Sequence, residues 1–163
     1  MNHRIRTATV ADVPSINAIY NYYVPRSTCT YQYDPEPDEA RLAWFAKHGD
    51  EHPVIVAEIE GEVIGWGSLS PFRSRDGYRH TAEISVYVRH DLHRQGIGKA
   101  LLAELIERAK MIGHHTLVGG ISADQAASIE LHEGMGFQKV GHFREIGYKF
   151  DQWLDVVFMQ LML

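Results

Sequence analysis

Val86-Tyr87-Val88-Arg89-His90-Asp91-Leu92-His93-Arg94-Gln95-Gly96-Ile97-Gly98-Lys99-Ala100-Leu101 decides how this chain is read. An apolar strand pattern runs through a polar turn with two glycines into a helical pattern. At a helix start the first backbone N–H groups have no partner in the helix, the helix dipole favours negative charge, and glycine lets the backbone approach an anion closely. Arg94 and Lys99 add positive charge. The turn is therefore an anion site, and phosphate is the anion such turns hold best. Two nucleotide folds fail on spacing. A P-loop needs a glycine where His93 stands and a Ser or Thr where Ala100 stands. A dinucleotide fold needs a third glycine at Leu101 and an acidic residue ending the next strand, where Gly119 and Gly120 occur.

Working outward, Leu102, Leu105, Ile106 and Ala109 form one side of the helix that the turn opens, and Gly113 ends it. Before the turn, residues 81–88 alternate: Ala82, Ile84, Val86 and Val88 share one face, and Thr81, Glu83, Ser85 and Tyr87 the other. Residues 54–59 and 63–69 with Glu60-Gly61 between them predict an antiparallel hairpin, and Gly65 and Gly67 beside Trp66 predict close packing. Asp12-Val13-Pro14 predicts an N-cap followed by a helix through Ile16, Ile19, Tyr20 and Tyr23. A second helix follows the turn 34–39, with Leu42, Phe45 and Ala46 as its buried stripe. Residues 117–121 read as a strand, 124–135 as a short helix closed by Gly136, and 137–140 and 156–163 as strands. The order is ααβββαβαββ after a short opening strand, an α/β (α+β) arrangement. Trp44, Trp66 and Trp153 are read as packing.

With 163 residues, the chain is long enough for one domain with one core, taken as 1–163. The formal net charge of −5 argues against a general nucleic-acid coat. Cys29 is the only cysteine, which excludes an internal disulfide and a cysteine zinc cage. It reads as a small packed residue. His114-His115 lacks further ligands at metal spacing, so no metal is expected. Without an apolar run of signal-peptide or membrane-spanning length, a soluble cytoplasmic protein with no membrane partner is expected.

The turn Arg94-Gln95-Gly96-Ile97-Gly98-Lys99-Ala100 resembles the Arg/Gln-x-x-Gly-x-Gly/Ala signature of the GNAT superfamily of N-acetyltransferases. Gln125-Ala126-Ala127-Ser128-Ile129-Glu130-Leu131-His132-Glu133-Gly134-Met135-Gly136-Phe137 resembles its second, helix-to-strand signature. More narrowly, Ile5-Arg6-x-Ala8-Thr9, Ser27-Thr28, Thr81-Ala82-Glu83-x-Ser85-Val86-Tyr87-Val88, Leu131-His132-Glu133 and Trp153-x-Asp155 resemble phosphinothricin and methionine sulfoximine or sulfone acetyltransferases. The resemblance covers nearly the whole chain. It implies a mixed, mostly antiparallel sheet of six to seven strands, splayed between its fourth and fifth strands and flanked by about four helices. It also implies acetyl transfer from acetyl-CoA to the α-amino group of a small amino-acid analogue, a detoxification, with homodimers common. Val86, Tyr87, Val88, Arg94 to Ala100, Gln125 and Ser128 would then hold acetyl-CoA. Gln125 departs from the asparagine that often bonds the pantetheine arm, keeping the amide on a longer stem.

This chemistry needs a base, because an α-amine is largely protonated near neutral pH and must lose a proton before it attacks a thioester. Glu83 is the candidate, since a carboxylate inside a strand calls for a reason. The competing reading pairs it structurally with an arginine. His132 stands where many relatives have a tyrosine. It serves either as the acid for the leaving thiolate or as Glu83's partner, unless it only satisfies a backbone carbonyl. A backbone N–H near Val86 would hold the developing oxyanion. Arg73 and Arg75 are candidates to fork a substrate acid, with Tyr31, Phe72, Tyr78 and Ser85 completing the pocket. A solvated loop and ordinary core aromatics are the plainer readings. The alternatives in function are an acetyltransferase for a protein N-terminus or polyamine, and a CoA-binding sensor or structural dimer subunit without turnover. An exposed apolar strand at 156–159 would suit a dimer interface.

Overall fold

In the computed structural model, which describes residues 2–163, seven strands form one sheet in the order β1-β2-β3-β4-β5-β7-β6. The strands are β1 (Arg4–Thr7), β2 (Val54–Ile59), β3 (Glu62–Pro71), β4 (Thr81–Val88), β5 (Thr116–Ser122), β6 (Gln138–Lys149) and β7 (Gln152–Met162). Four α-helices accompany them, α1 (Val13–Tyr23), α2 (Asp38–Phe45), α3 (Ile97–Ile112) and α4 (Ala126–Gly134). All neighbouring strands pair antiparallel except β4 and β5, which run parallel. The mixed, mostly antiparallel α/β fold and the element order agree with the expectation.

Strand alternation gives the sheet two faces. Ala82 and Ile84 of β4, with Val86 and Val88, pack into the cluster under α3 that contains Leu101, Leu102, Leu105 and Ala109. Tyr87 packs on the opposite face, with Trp66 and with Ile16, Ile19 and Tyr23 of α1. The glycines beside Trp66 let α3 settle onto bare backbone: a Cβ at Gly67 would lie 2.8 Å from Leu105 Cδ1, and one at Gly65 3.2 Å from Leu101 Cδ1.

Between β4 and β5 only Thr81, Ala82 and Glu83 pair, with Thr116, Leu117 and Val118. Beyond Glu83 the two strands part. The carbonyls of Ser85 and Tyr87 point at β3, 3.0 Å and 3.1 Å from the Cβ positions of Gly67 and Gly65. Backbone groups of alternate residues point to opposite sides of a strand. The N–H of Val86 therefore faces the split, beyond the last paired position of β4 with β5.

Several expectations are corrected. Leu42 and Ala46 of the second helical segment are exposed, and the buried residue of α2 is Arg41. Its guanidinium pairs with Glu36 at 2.5 Å and lies over the rings of Tyr20, Trp44 and Trp66. Trp153 is 64% exposed and is not a packing residue. The last two strands are longer than 137–140 and 156–163. Register shifts after Lys139 and Phe143 break the period-two pattern of β6, and its turn into β7 uses Phe150 and Asp151 at φ 53° and 58° with no glycine to announce it. Segment 156–159 is not an exposed apolar strand, because Val157 and Met159 are buried. The exposed apolar side chains lie instead on the β6–β7 arm, at Val140, Phe143, Ile146, Tyr148, Phe150 and Trp153.

Asp12 stands at the start of α1 but makes no side-chain cap there. Its carboxylate accepts from the Thr9 N–H at 2.7 Å and from Arg6 Nη1 and Nη2 at 2.7 Å and 2.9 Å. The Arg6 bonds hold its pKa down at about 2. Between the ordinary 3.8 and about 2 the unfolded chain binds the proton and the folded one does not. The carboxylate thus stabilises the fold above that window and ceases to do so as pH falls through it. Asp12→Asn is expected to remove about 2 kcal/mol of stability at neutral pH and to flatten the acid limb of a melting-temperature profile.

Candidate active site

The split opens into a cavity of about 600 Å³ whose walls come from both of its sides. Ile84, Ser85, Val86, Tyr87 and Val88 line it from β4, and Gly119, Gly120, Ile121 and Ser122 from β5. At one end lies the turn into α3. Arg94 takes φ 61° and Gly96 φ 81°, left-handed conformations that swing the chain into the helix, and the Gly96 carbonyl accepts the first helical bond, from Ala100 N–H. Arg94, Gly96, Ile97, Gly98 and Lys99 line the cavity, whereas Gln95 and Ala100 do not. The arginine, the lysine and the free N–H groups of a sixteen-residue helix make this end electropositive.

Across the cavity, α4 contributes Ser128 and His132, and Gln125 stands immediately before it. The Gln125 amide donates to Thr28 Oγ1 at 2.7 Å, so its longer stem spans to the α1–α2 loop. His132 is buried, with Nδ1 2.8 Å from the Ser128 carbonyl. A carbonyl only accepts, so Nδ1 carries the proton and Nε2 presents a lone pair. Burial pushes the His132 pKa below its ordinary value, the Ser128 bond opposing in part, and the ring is neutral at pH 7. Nε2 lies 3.5 Å, and Ile84 Cγ2 3.8 Å, from the Cβ position of Gly119. His132 is therefore on the α3 face of the sheet.

Glu83 alternates with Ile84 and stands on the other face, at the last paired position before the split. Desolvation pushes its pKa up, and among the described residues no arginine pairs with it. The structural ion pair considered from sequence is absent there. The same face carries Ser85 and Tyr87, and Tyr87 Oη donates to the Cys29 carbonyl at 3.4 Å.

Glu83 and the remaining sequence candidates lie outside the cavity wall. Phe72, Arg73, Arg75 and Tyr78 sit in the β3–β4 loop, where Arg73 lies 5.3 Å and 5.7 Å over the rings of Phe72 and Tyr78, and both arginines are exposed. Tyr31 donates to Ser122 Oγ at 2.8 Å and covers Gly147, joining the α1–α2 loop to β5 and β6. Sequence reasoning passed over Tyr23, Ser27 and Cys29, which line the cavity. Tyr23 Oη bonds both the Val88 carbonyl and His93 Nε2, fixing the turn from α1. Only the glycine pair 119–120 hinted at the β5 wall. Among the described residues no group of three or more His, Cys, Asp or Glu side chains is placed to hold a metal, and no helix is long and apolar enough to cross a membrane.

The acetyltransferase (GNAT) domain family matches residues 5–158. The chain belongs to the GNAT acetyltransferase family. The L-methionine sulfoximine/L-methionine sulfone acetyltransferase of Pseudomonas paraeruginosa is 44% identical to this GNAT protein over 165 residues, covering 100% of the chain and 96% of the relative. A GNAT phosphinothricin acetyltransferase from Sinorhizobium meliloti, solved with acetyl-CoA, is 36% identical with a TM-score of 0.96, covering 100% of this chain and 89% of that one. A ribosomal-protein-alanine N-acetyltransferase structure from Brucella melitensis is 45% identical with a TM-score of 0.95, covering 98% and 99%. Acetyl-CoA is the cosubstrate of this GNAT enzyme, and the electropositive helix start at the end of a long cleft fits a phosphorylated carrier with an extended arm.

Proposed function

We propose that this enzyme acetylates the α-amino group of a small amino-acid analogue of the methionine sulfoximine, methionine sulfone or phosphinothricin kind, by direct attack on the thioester, with residues 1–163 acting as one catalytic domain. The observation that carries the reading is the split at Glu83, with an exposed carboxylate that makes no ion pair among the described residues on one face and the electropositive cleft on the other. Acetyl-CoA supplies the thioester carbonyl. Arg94, Lys99 and the N–H groups opening α3 hold its phosphates, while Val86, Val88, Gln125 and Ser128 flank its arm. Glu83 removes a proton from the substrate ammonium, and the freed lone pair attacks through the split. The Val86 N–H donates to the carbonyl oxygen as charge develops there; the C–S bond then breaks, CoA leaves as its thiolate and takes up the surplus proton of the acetylated nitrogen, and Glu83 returns its own proton to solvent. Arg73 and Arg75 in the adjoining loop fork the substrate's acid group, and Ser85 and the aromatics Tyr31, Phe72 and Tyr78 border the amine side.

His132 works apart from Glu83, since the two stand on opposite faces, and its lone pair at Nε2 suits accepting rather than donating. We assign it to positioning the pantetheine arm of acetyl-CoA, whose amide N–H groups can donate to that lone pair. His132→Gln is expected to lower kcat/KM by less than about tenfold and to leave the alkaline side of the pH profile unchanged. A falling limb in the parent that His132→Gln abolishes would make it the acid instead. Arg94→Ala and Lys99→Ala are each expected to raise the KM for acetyl-CoA about tenfold, more at low salt than at high, because charge-assisted bonds to phosphate are screened.

The substrate reading is tested by thiol release from acetyl-CoA with methionine sulfoximine, methionine sulfone, phosphinothricin, the common amino acids, spermidine and peptides beginning with alanine. Turnover confined to the analogues and reduced in Arg75→Ala supports it. Turnover confined to the peptides moves the assignment to protein N-termini. The same reading makes the protein a cytoplasmic detoxifying enzyme. We propose in addition that it is a homodimer joined through the β6–β7 arm, whose exposed apolar side chains flank an open edge strand. Sedimentation of a Phe143→Glu, Trp153→Glu double variant as a monomer, against a dimeric parent, is the expected result.

A further inference from the structure

Lys149, the last residue of β6, is 3% exposed, and its ammonium donates to the carbonyls of Ser27 at 2.7 Å and Thr30 at 2.5 Å. A buried ammonium is costly unless it is paired, and among the described residues Lys149 makes no salt bridge. Burial pushes its pKa down accordingly. A methionine would fill the same space without that cost, so the cation calls for an explanation in what it holds.

It holds the two ends of a short segment that crosses the split. Between Ser27 and Thr30 lie Thr28, whose hydroxyl donates to Asp124 and accepts from Gln125, and Cys29, whose carbonyl accepts from Tyr87 Oη. Ser27 and Cys29 line the cavity. The segment approaches from the Glu83–Ser85–Tyr87 face, the side on which the proposed amine is deprotonated. Lys149 reaches it from the far half of the sheet, beyond β5 and β7.

We propose that Lys149 is a positioning residue for the acceptor amine: by tying residues 27–30 down over the split it shapes the wall against which the amine is held. This rests on the acetyltransferase reading above, and it separates stability from function. Lys149→Met removes a buried charge and is expected to shift the melting temperature little. It should raise the KM for methionine sulfoximine about tenfold while kcat and the KM for acetyl-CoA stay within about threefold of the parent.

Cys29, the sole cysteine, gives a readout that needs no turnover. Burial pushes its thiol pKa up, and the neighbouring Lys149 opposes that shift. Losing the ammonium therefore leaves less thiolate and, on electrostatics alone, slows labelling by a maleimide. If the segment is released, labelling of unliganded Lys149→Met accelerates instead, by about tenfold. Faster labelling with the amine KM raised alone is the expected result, and if methionine sulfoximine is not a substrate, the labelling rate still reports on the tie. Parental or slower labelling in a folded variant overturns the proposal, as does a kcat loss at unchanged KM. Should Lys149→Met not fold, Lys149→Gln is read in the same two assays. If neither folds, Lys149 is a structural cation and the proposal fails.

Discussion

Replacing Glu83 by glutamine is expected to lower kcat/KM about a thousandfold, in the middle of the range that a positioned general base supplies, and equivalent to about 4 kcal/mol of barrier. The exchange is nearly isosteric at a position whose side chain makes no ion pair among the described residues, so the fold and the KM for acetyl-CoA should hold. The pH profile carries the more specific test. Glu83 accepts a proton only when ionised, and desolvation has moved its pKa above the ordinary 4.5. The parent rate should therefore rise with pH through that shifted value and again through the titration of the amine itself. In Glu83→Gln the lower limb should vanish while the upper one persists. A glutamine variant that retains the lower limb would place the base elsewhere.

Replacing Arg41 by alanine is expected to be the most damaging substitution for stability among those discussed. The guanidinium is 5% exposed and meets Glu36 at 2.5 Å, and it lies 4.4 Å over the Tyr20 ring and 4.7 Å over Trp44. Removing one partner of a buried pair leaves the other charge uncompensated, which costs about 3–5 kcal/mol. For a chain of this size that corresponds to a melting temperature lower by roughly 6–20 °C. Arg41→Met, which keeps the aliphatic stem against the rings, should recover part of the loss. Equal melting temperatures for parent and alanine variant in differential scanning calorimetry would contradict this account.

Arg41 also marks where sequence reading reaches its limit. The stripe Leu42, Phe45 and Ala46 follows from treating apolar residues as the buried ones. Here a cation took the inner position because Tyr20, Trp44 and Trp66 offered it ring faces and Glu36 a counter-charge. None of those partners is a helical neighbour of the kind that periodicity detects, apart from Trp44. The order of elements, the alternation of β4 and the glycine turn into α3 were legible because each is a local pattern. The cavity's amine-side wall was not. It depends on Cys29, whose segment Lys149 holds by reaching the Ser27 and Thr30 carbonyls across more than a hundred positions of sequence, and such bonds leave no motif. The length of β6 was hidden by its bulges and by a turn of two non-glycine residues in left-handed conformations.

The parting of β4 from β5 has a kinetic consequence. On the reading proposed above, Glu83 and His132 address one opening from opposite faces, and donor and acceptor would then occupy the protein at the same moment without competing for space. Cys29, the only thiol, is kept neutral by burial and is a poor nucleophile. The acetyl group thus has no reason to rest on the protein between its two owners. Initial-rate lines at several fixed acetyl-CoA concentrations should converge to a common point instead of running parallel.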